Sequence, residues 1–179
     1  MSVDLSKYNN NWYQPGNVFK RVLWYYFNIL FFKNGLFPFS SFKVFILKLF
    51  VARIGTGVII KPFVNIKYPW LLSIGDHVWI GEEVWIDNLD LVVIGNNVCI
   101  SQGALLLTGS HNYKEKTFDL IVKPIYIEEG VWLCAKSIIC AGVTCKRNSI
   151  ITAGSVITSN CNSSGIYRGN PAVQISTRT

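Results

Sequence analysis

The stretch IGDHVWIGEEVWIDNLDLVVIGNNVCI, residues 74–100, decides the fold. Isoleucine stands at 74, 80, 86, 94 and 100, so three of the four gaps are six residues and one is eight. An α-helix returns to one face about every 3.6 residues and a lone strand every second residue. Neither keeps one side chain inside at a spacing of six. Outward from this stretch the series runs Ile54, Ile60, Ile66; Ile74, Ile80, Ile86; Ile94, Ile100, Leu106; Ile127, Leu133, Ile139; and Cys145, Ile151, Ile157. A unit this short cannot bury its own apolar face and must stack on copies of itself. The pattern predicts a solenoid of parallel strands in which three hexads make one triangular coil, about five coils in all.

The fifth residue of each hexad is small or β-branched: Val58, Val64, Val78, Val84, Val98, Ala104, Ser110, Val131, Ser137, Val143, Ser149, Ser155 and Cys161. Trp70 and Asp90 are the exceptions. Glycine often follows the first position (Gly55, Gly75, Gly81, Gly95), where tight corners are expected.

The irregularities point to function. The third hexad of the first coil, Ile66 to Ile74, is eight residues long, as is that of the second, Ile86 to Ile94; that of the third runs twenty-one, Leu106 to Ile127. Coils stack in register, so these insertions lie over one another at a single corner. Loops on a rigid scaffold are where function concentrates. This corner carries KYPW (67–70), DNLD (87–90) and TGSHNYKEKTFDLIVKPIY (108–126), and with them Asp87, Asn88, Asp90, His111 and Asp119. His111 is one of two histidines. The other, His77, falls on a regular coil and reads as a solvated surface group.

Composition narrows the classes. At 179 residues, half of them apolar and 14% aromatic, the chain is expected to be one ordered domain. The net charge of +7 favours an anionic partner: nucleic acid, a phosphate-bearing cofactor or a membrane surface. Much of it lies early, at Lys20, Arg21, Lys33, Lys43, Lys48, Arg53, Lys61 and Lys67. The aromatics cluster in apolar runs rather than on a basic face, which argues against nucleic acid. Five cysteines without a C-x-x-C pair and two histidines offer no metal site, and read as reduced, packed thiols of a cytoplasmic protein. The first fifteen residues are polar, so no cleavable signal peptide is expected. VLWYYFNILFF (22–32) is shorter than the roughly 20 residues a membrane span requires. With FKVFILKLFVARI (42–54) it predicts two short helices that either cap the core or dock on an anionic membrane. The expected organisation is a helical extension over 1–53, a solenoid over 54–165 with a functional loop at 107–126, and a tail over 166–179.

Several stretches together resemble a known family: DLSKY (4–8), ARIGTGVIIKP (52–62), NIKYPWLLSIGDHVWIGEEVWIDNL (65–89), CISQGALLLTGSHNY (99–113), FDLIVKPIYIEEGVWLCAKSIICAGV (118–143) and YRGNPA (167–172). They are similar to the hexapeptide-repeat acyltransferases, specifically the sugar O-acetyltransferases of the colanic-acid-biosynthesis type. The resemblance implies an all-β fold, a left-handed parallel β-helix with a short N-terminal helical segment, an exception to the usual right-handed crossover. It implies a homotrimer with active sites between subunits, and direct acetyl transfer from acetyl-CoA to a sugar hydroxyl without an acyl-enzyme. The acceptor would be a sugar, nucleotide sugar or lipid-linked glycan, met in the cytoplasm or at the inner membrane face.

Under that resemblance His111 is the general base for the attacking hydroxyl, and a backbone amide or polar side chain steadies the oxyanion. Asp87, Asn88 and Ser110 serve the acceptor, with Asp87 and Asn88 reaching His111 across a subunit boundary. Tyr68 and Trp70 stack on a sugar or pack on the N-terminal helices. The CoA arm follows the C-terminal coils, where Ala135, Gly142, Ala153 and Gly154 allow close approach and Trp132 forms a wall. Lys136, Lys146, Arg147 and Arg168 either neutralise its phosphates or form a solvated face. Relatives carry lysine after the threonine corresponding to Thr158; here Ser159 follows, which weakens that phosphate contact. Cys134 and Cys140 are rival nucleophiles, read instead as packing. A γ-type carbonic anhydrase needs three histidine ligands and is excluded. A non-catalytic scaffold gives no reason for stacked irregularities around His111, and an acetyltransferase acting on an amino sugar, a serine or an antibiotic is the remaining competitor.

Overall fold

The six-residue spacing is realised rung by rung in a computed structural model, which describes residues 2–178. Three parallel sheets form the faces of a prism. On the first face Ile54, Ile74, Ile94, Ile127 and Cys145 stand in register. On the second Ile60, Ile80, Ile100, Leu133 and Ile151 do so. On the third they are Ile66, Ile86, Leu106, Ile139 and Ile157. Nearly all of these side chains are sealed from solvent, each worth about 1.5–3 kcal/mol of apolar burial. The fifth-position residues fill the space between them: Val58, Val64, Val78, Ala104, Ser149 and Ser155, among others, are buried. Ser110 departs from this pattern. The chain leaves the coil after Thr108, and Ser110 is exposed on a protruding strand.

Five complete coils are followed by part of a sixth, in which the main chain at Cys161 pairs with that at Cys145, both thiols being free, and Tyr167 takes the buried position on the second face. Residues 166–179 were expected to form a tail. Instead the strand Gly165–Gly169 is the last rung of the second face, and Ala172–Thr177 folds back on it antiparallel. The last rung of the second face is thereby paired.

The corners have a different origin from the one expected. The residue in the left-handed region comes third after each inward side chain of the first two faces: Gly57, His77, Asn97, Gly130 and Asn148 at one corner, and Phe63, Glu83, Gly103, Lys136 and Gly154 at the next. The glycine directly after the inward residue serves close stacking. A Cβ at Gly75 would collide with Asn96 Oδ1 and lie 2.8 Å from the Asn96 nitrogen in the next coil. In the room so left, Asn96 Oδ1 accepts from the Asp76 N–H at 2.8 Å, and Asp76 Oδ1 accepts from the Thr56 N–H at 2.7 Å. His77 is exposed, as expected.

Two helices, α1 (Val18–Phe27, continued by a wider turn through Phe32) and α2 (Ser40–Leu49), close the first coil. Trp24, Phe32, Ile46 and Leu47 complete the core, and the Trp24 indole donates to the Ile66 carbonyl at 2.8 Å. Lys43 is buried with them; its ammonium donates to the Lys61 carbonyl at 2.8 Å, and burial lowers its pKa to about 8. Among the described residues no helix is long and apolar enough to cross a membrane.

Candidate active site

The corner between the third and first faces carries the three insertions, and the structure stacks them directly. Asn88, in the second bulge, reaches back twenty residues to the first: its Oδ1 accepts from the Tyr68 N–H at 3.0 Å and its Nδ2 donates to the Tyr68 carbonyl at 2.6 Å. Thr108, at the root of the third, donates its hydroxyl to the Asp87 carbonyl and accepts the Asp90 N–H, both at 3.0 Å. The third insertion then rises as an antiparallel hairpin, Gly109–His111 on Leu120–Val122.

His111 ends the outgoing strand of that hairpin. Its Nδ1 lies 2.9 Å from the Phe118 carbonyl oxygen. A carbonyl oxygen only accepts, so Nδ1 carries the proton, and in the neutral ring Nε2 presents a free lone pair. Phe118 sits in the left-handed region (φ 53°), and its ring lies parallel to the imidazole, 4.4 Å between centroids. The Tyr8 ring flanks the histidine at 5.8 Å. Tautomer and ring orientation are thus both set by the chain. A proton arriving at Nε2 also strengthens the Nδ1–H bond to the carbonyl, since charge-assisted hydrogen bonds are the stronger kind.

Two depressions meet at His111. One, of about 510 Å³, faces the C-terminal coils and is lined by Ser110, Tyr113, Lys123, Cys140 and Ala141, among others. The other, of about 390 Å³, faces the N-terminal end and includes Tyr8, Tyr13, Arg21, Lys67 and Tyr68. The N-terminal segment forms its wall by running along the bulged corner. The Asp4 N–H donates to the Lys116 carbonyl at 2.9 Å, the Tyr13 hydroxyl to the Leu89 carbonyl at 2.6 Å, and the Trp70 indole to the Pro15 carbonyl at 2.6 Å. Burial, followed by the neighbouring Tyr68 and acidic groups, pushes the Tyr13 hydroxyl far up, so it stays a donor.

Other predicted residues divide. Ser110 shares the C-terminal cavity with His111, and Tyr68 shares the N-terminal one. Asp87 is half-buried and pairs with Lys67 at 3.0 Å. Asn88 is fully buried with its amide engaged by Tyr68, so in this chain it joins the bulges rather than facing a ligand. Trp70 is turned toward the N-terminal segment, with the Lys20 ammonium 4.4 Å from its ring centroid and Tyr68 stacked on it. Of the two rival nucleophiles, Cys140 does line the His111 cavity, but burial raises its pKa, as it does that of Cys134. A thiol held protonated is a poor nucleophile.

Residues assigned to CoA lie along the opposite edge of the third face and beyond it. Ala135, Lys136, Ala153 and Gly154 form its second-to-third-face corner, where the Gly154 N–H donates to the Ala135 carbonyl at 2.9 Å. Trp132 and Arg168 project from the second face, and the Trp132 indole donates to the Ser101 hydroxyl at 2.9 Å. Gly142 and Thr158 alone share the corner of the His111 hairpin, and Gly142 is covered by the Lys123 side chain. Lys146 and Arg147 are exposed at the remaining corner, with Arg147 paired to Glu129. Tyr8, Tyr13, Arg21 and Lys67 were not singled out for the site by the sequence. DLSKY, prominent in the resemblance, was the available signal for the first.

No protein-family model matches the chain. It is 35% identical over 166 residues to the chain of Escherichia coli (strain K12) named as the colanic acid biosynthesis acetyltransferase WcaF, covering 93% of this chain and 91% of that one. The chain belongs to the WcaF-like acetyltransferase family. The galactoside O-acetyltransferase of the same organism is 30% identical over 129 residues, 70% of this chain and 64% of its own. Among solved structures, a hexapeptide-repeat acetyltransferase of Vibrio cholerae in complex with acetyl-coenzyme A superposes with a TM-score of 0.81 at 22% identity, covering 88% of this chain and 86% of that one. A galactoside acetyltransferase in complex with coenzyme A gives 0.77 at 23% identity, covering 88% and 80%. Membership in an acetyltransferase family and the protonation geometry at His111 thus rest on independent observations, one of sequence and one of structure.

Proposed function

We propose that the protein transfers an acetyl group from acetyl-CoA to a sugar hydroxyl in surface-glycan biosynthesis, in one direct step within a ternary complex. The observation that carries this reading is His111: Nδ1 is committed to the Phe118 carbonyl, and Nε2 is the free base between two cavities. The acceptor hydroxyl enters from the N-terminal cavity and gives its proton to Nε2 as its oxygen attacks the thioester carbonyl. The C–S bond then breaks, and the CoA thiolate recovers the proton from the imidazolium. The thioester reaches His111 through the C-terminal cavity. Ser110 offers a hydroxyl to the substrates there, and Tyr68 an aromatic face on the acceptor side. Direct transfer is favoured over an acyl-enzyme because the Cys140 thiol is held protonated.

The CoA arm is assigned to the edge bearing Ala135, Lys136, Ala153 and Gly154, with Trp132 and Arg168 beyond it and Gly142 and Thr158 nearer His111. Within one chain these are split between the two edges of the third face. A homotrimer, in which one subunit's hairpin meets its neighbour's edge, completes the site. The second face supports this: Ile59, Trp79, Cys99, Trp132 and Ile150 form an outward apolar file, with Trp79 56% and Trp132 44% exposed. A sugar acceptor is favoured over a serine or an antibiotic because relatives are named for colanic acid and galactosides. The test is acetyl-CoA turnover, followed as thiol release, against a panel of sugars, nucleotide sugars and lipid-linked sugars, with the product identified by mass spectrometry. An acetyl ester on a glycan hydroxyl is expected. Acetylation of an amine, or turnover only with non-sugar acceptors, overturns the reading.

A further inference from the structure

Beyond the N-terminal cavity lies a larger one of about 600 Å³, between α1 and the first two rungs of the third face. Arg21, Lys67 and Tyr68 line both, so the two are continuous and lead to His111. The larger cavity adds the Lys33 ammonium and an aromatic wall of Tyr25, Tyr26 and Trp85. Three cations therefore face one carboxylate, Asp87, which is occupied by Lys67. Among the described residues Arg21 and Lys33 make no ion pair, and Arg21 Nε is buried without a hydrogen-bond partner. An enclosed guanidinium nitrogen lacking an acceptor is costly, and bidentate anion recognition is what this side chain does best. The surplus is continuous with the rest of this end of the molecule: from Leu5 to Gly75 there are nine lysines and arginines and no carboxylate side chain.

We infer that the acceptor is a glycosyl phosphate or diphosphate, its anionic group held by Arg21, Lys33 and Lys67 while its sugar extends past Tyr68 to His111. The group attached beyond the phosphate lies on Tyr25, Tyr26 and Trp85, which suit either a nucleoside base or the first isoprene units of a polyprenyl carrier. This rests on the proposed direction of entry, acceptor from the N-terminal side and CoA from the other.

The test is equilibrium binding to the purified full-length protein with CoA present at saturation, so that the probes do not compete for the CoA phosphate contacts. Probes are inorganic pyrophosphate, methyl galactoside, galactose 1-phosphate, UDP-galactose and a farnesyl-diphosphate-linked galactose. The phosphorylated sugars are expected to bind about tenfold or more tightly than methyl galactoside, as charge-assisted contacts require, and pyrophosphate to bind alone. Both effects should fall away in Arg21→Gln/Lys33→Ser and weaken in Lys33→Ser, whose side chain is exposed and outside the core. The tighter of the two diphosphate sugars names the source. No binding of pyrophosphate, equal binding of neutral and phosphorylated galactose, or a preference that survives the double substitution overturns the inference. Binding needs no turnover, so a failure of acetyl transfer is read separately.

Discussion

Asn88 and Lys43 are polar side chains sealed in apolar surroundings, and each is held by main-chain partners from another element. Asn88→Ala leaves the Tyr68 N–H and carbonyl without their partner, and each such loss costs about 1–3 kcal/mol. Chemical denaturation should show a loss of about 2–4 kcal/mol; a change within error would mean the amide does not hold the bulges together. Asn88 is also where sequence reading reached its limit. An amide at a functional corner suits a sugar ligand and a backbone clamp equally, and only side-chain direction separates them. The twenty-residue step from Tyr68 to Asn88, one coil, was the available signal for the clamp. Lys43 predicts a pH effect. Its folded pKa of about 8 lies below the ordinary 10.5, so the unfolded chain holds this proton more firmly. The group therefore opposes folding below about pH 8, and that opposition fades as pH rises toward about 10.5. Lys43→Met has no such proton, so the stability of wild type relative to this variant should improve between about pH 7 and pH 10, by on the order of 1–2 kcal/mol. A constant difference would show that the lysine is not buried as an ammonium ion.

At the level of the coil, the corner depends on stacking distance. Gly75→Ala places a methyl against the next coil's backbone and the Asn96 side chain that caps it. It should cost about 2–4 kcal/mol, the range for overpacking combined with a broken hydrogen bond, read as a lowered midpoint in denaturant. At Gly154 nothing lies within 4 Å of the point a Cβ would occupy, so Gly154→Ala should cost only the roughly 1–2 kcal/mol of a left-handed residue. Equal losses at the two sites would contradict this account of the corners. The inward ladder was legible because burial demands one apolar side chain per rung, and the bulges because they interrupt it. Corner conformation was not: the left-handed position falls on Phe63, Glu83 and Lys136, residues that no turn preference selects, and coil stacking overrides local propensity. The hairpin was legible as an insertion, but its exit point was not, which is why Ser110 was counted among the fifth-position residues of the coil although it stands on the protruding strand.

For the molecule as a whole, charge and apolar surface are concentrated at one end. Phe19, Tyr25, Tyr26, Phe39, Phe45 and Leu49 are exposed on or beside the two helices, in the segment that lacks carboxylates. Adsorption to vesicles containing anionic lipid is expected, weakening as salt rises past about 0.15 M; equal partitioning to neutral vesicles would assign the binding to apolar contact alone. Sequence patterning made both helices legible and left core capping and membrane contact as alternatives. The structure puts Trp24, Phe32, Ile46 and Leu47 in the core while other residues of the same helices stay exposed, because one helix can serve two surfaces and composition does not say which residue faces which. At the centre of the proposed chemistry, His111 Nε2 takes the proton from the acceptor hydroxyl. The most direct test of this step is glycan-dependent thiol release from acetyl-CoA by wild type and His111→Ala under identical conditions. A fall in kcat of about 10²-fold or more is expected, the usual worth of a positioned base, with the variant still folded. Undiminished turnover in the variant would contradict it.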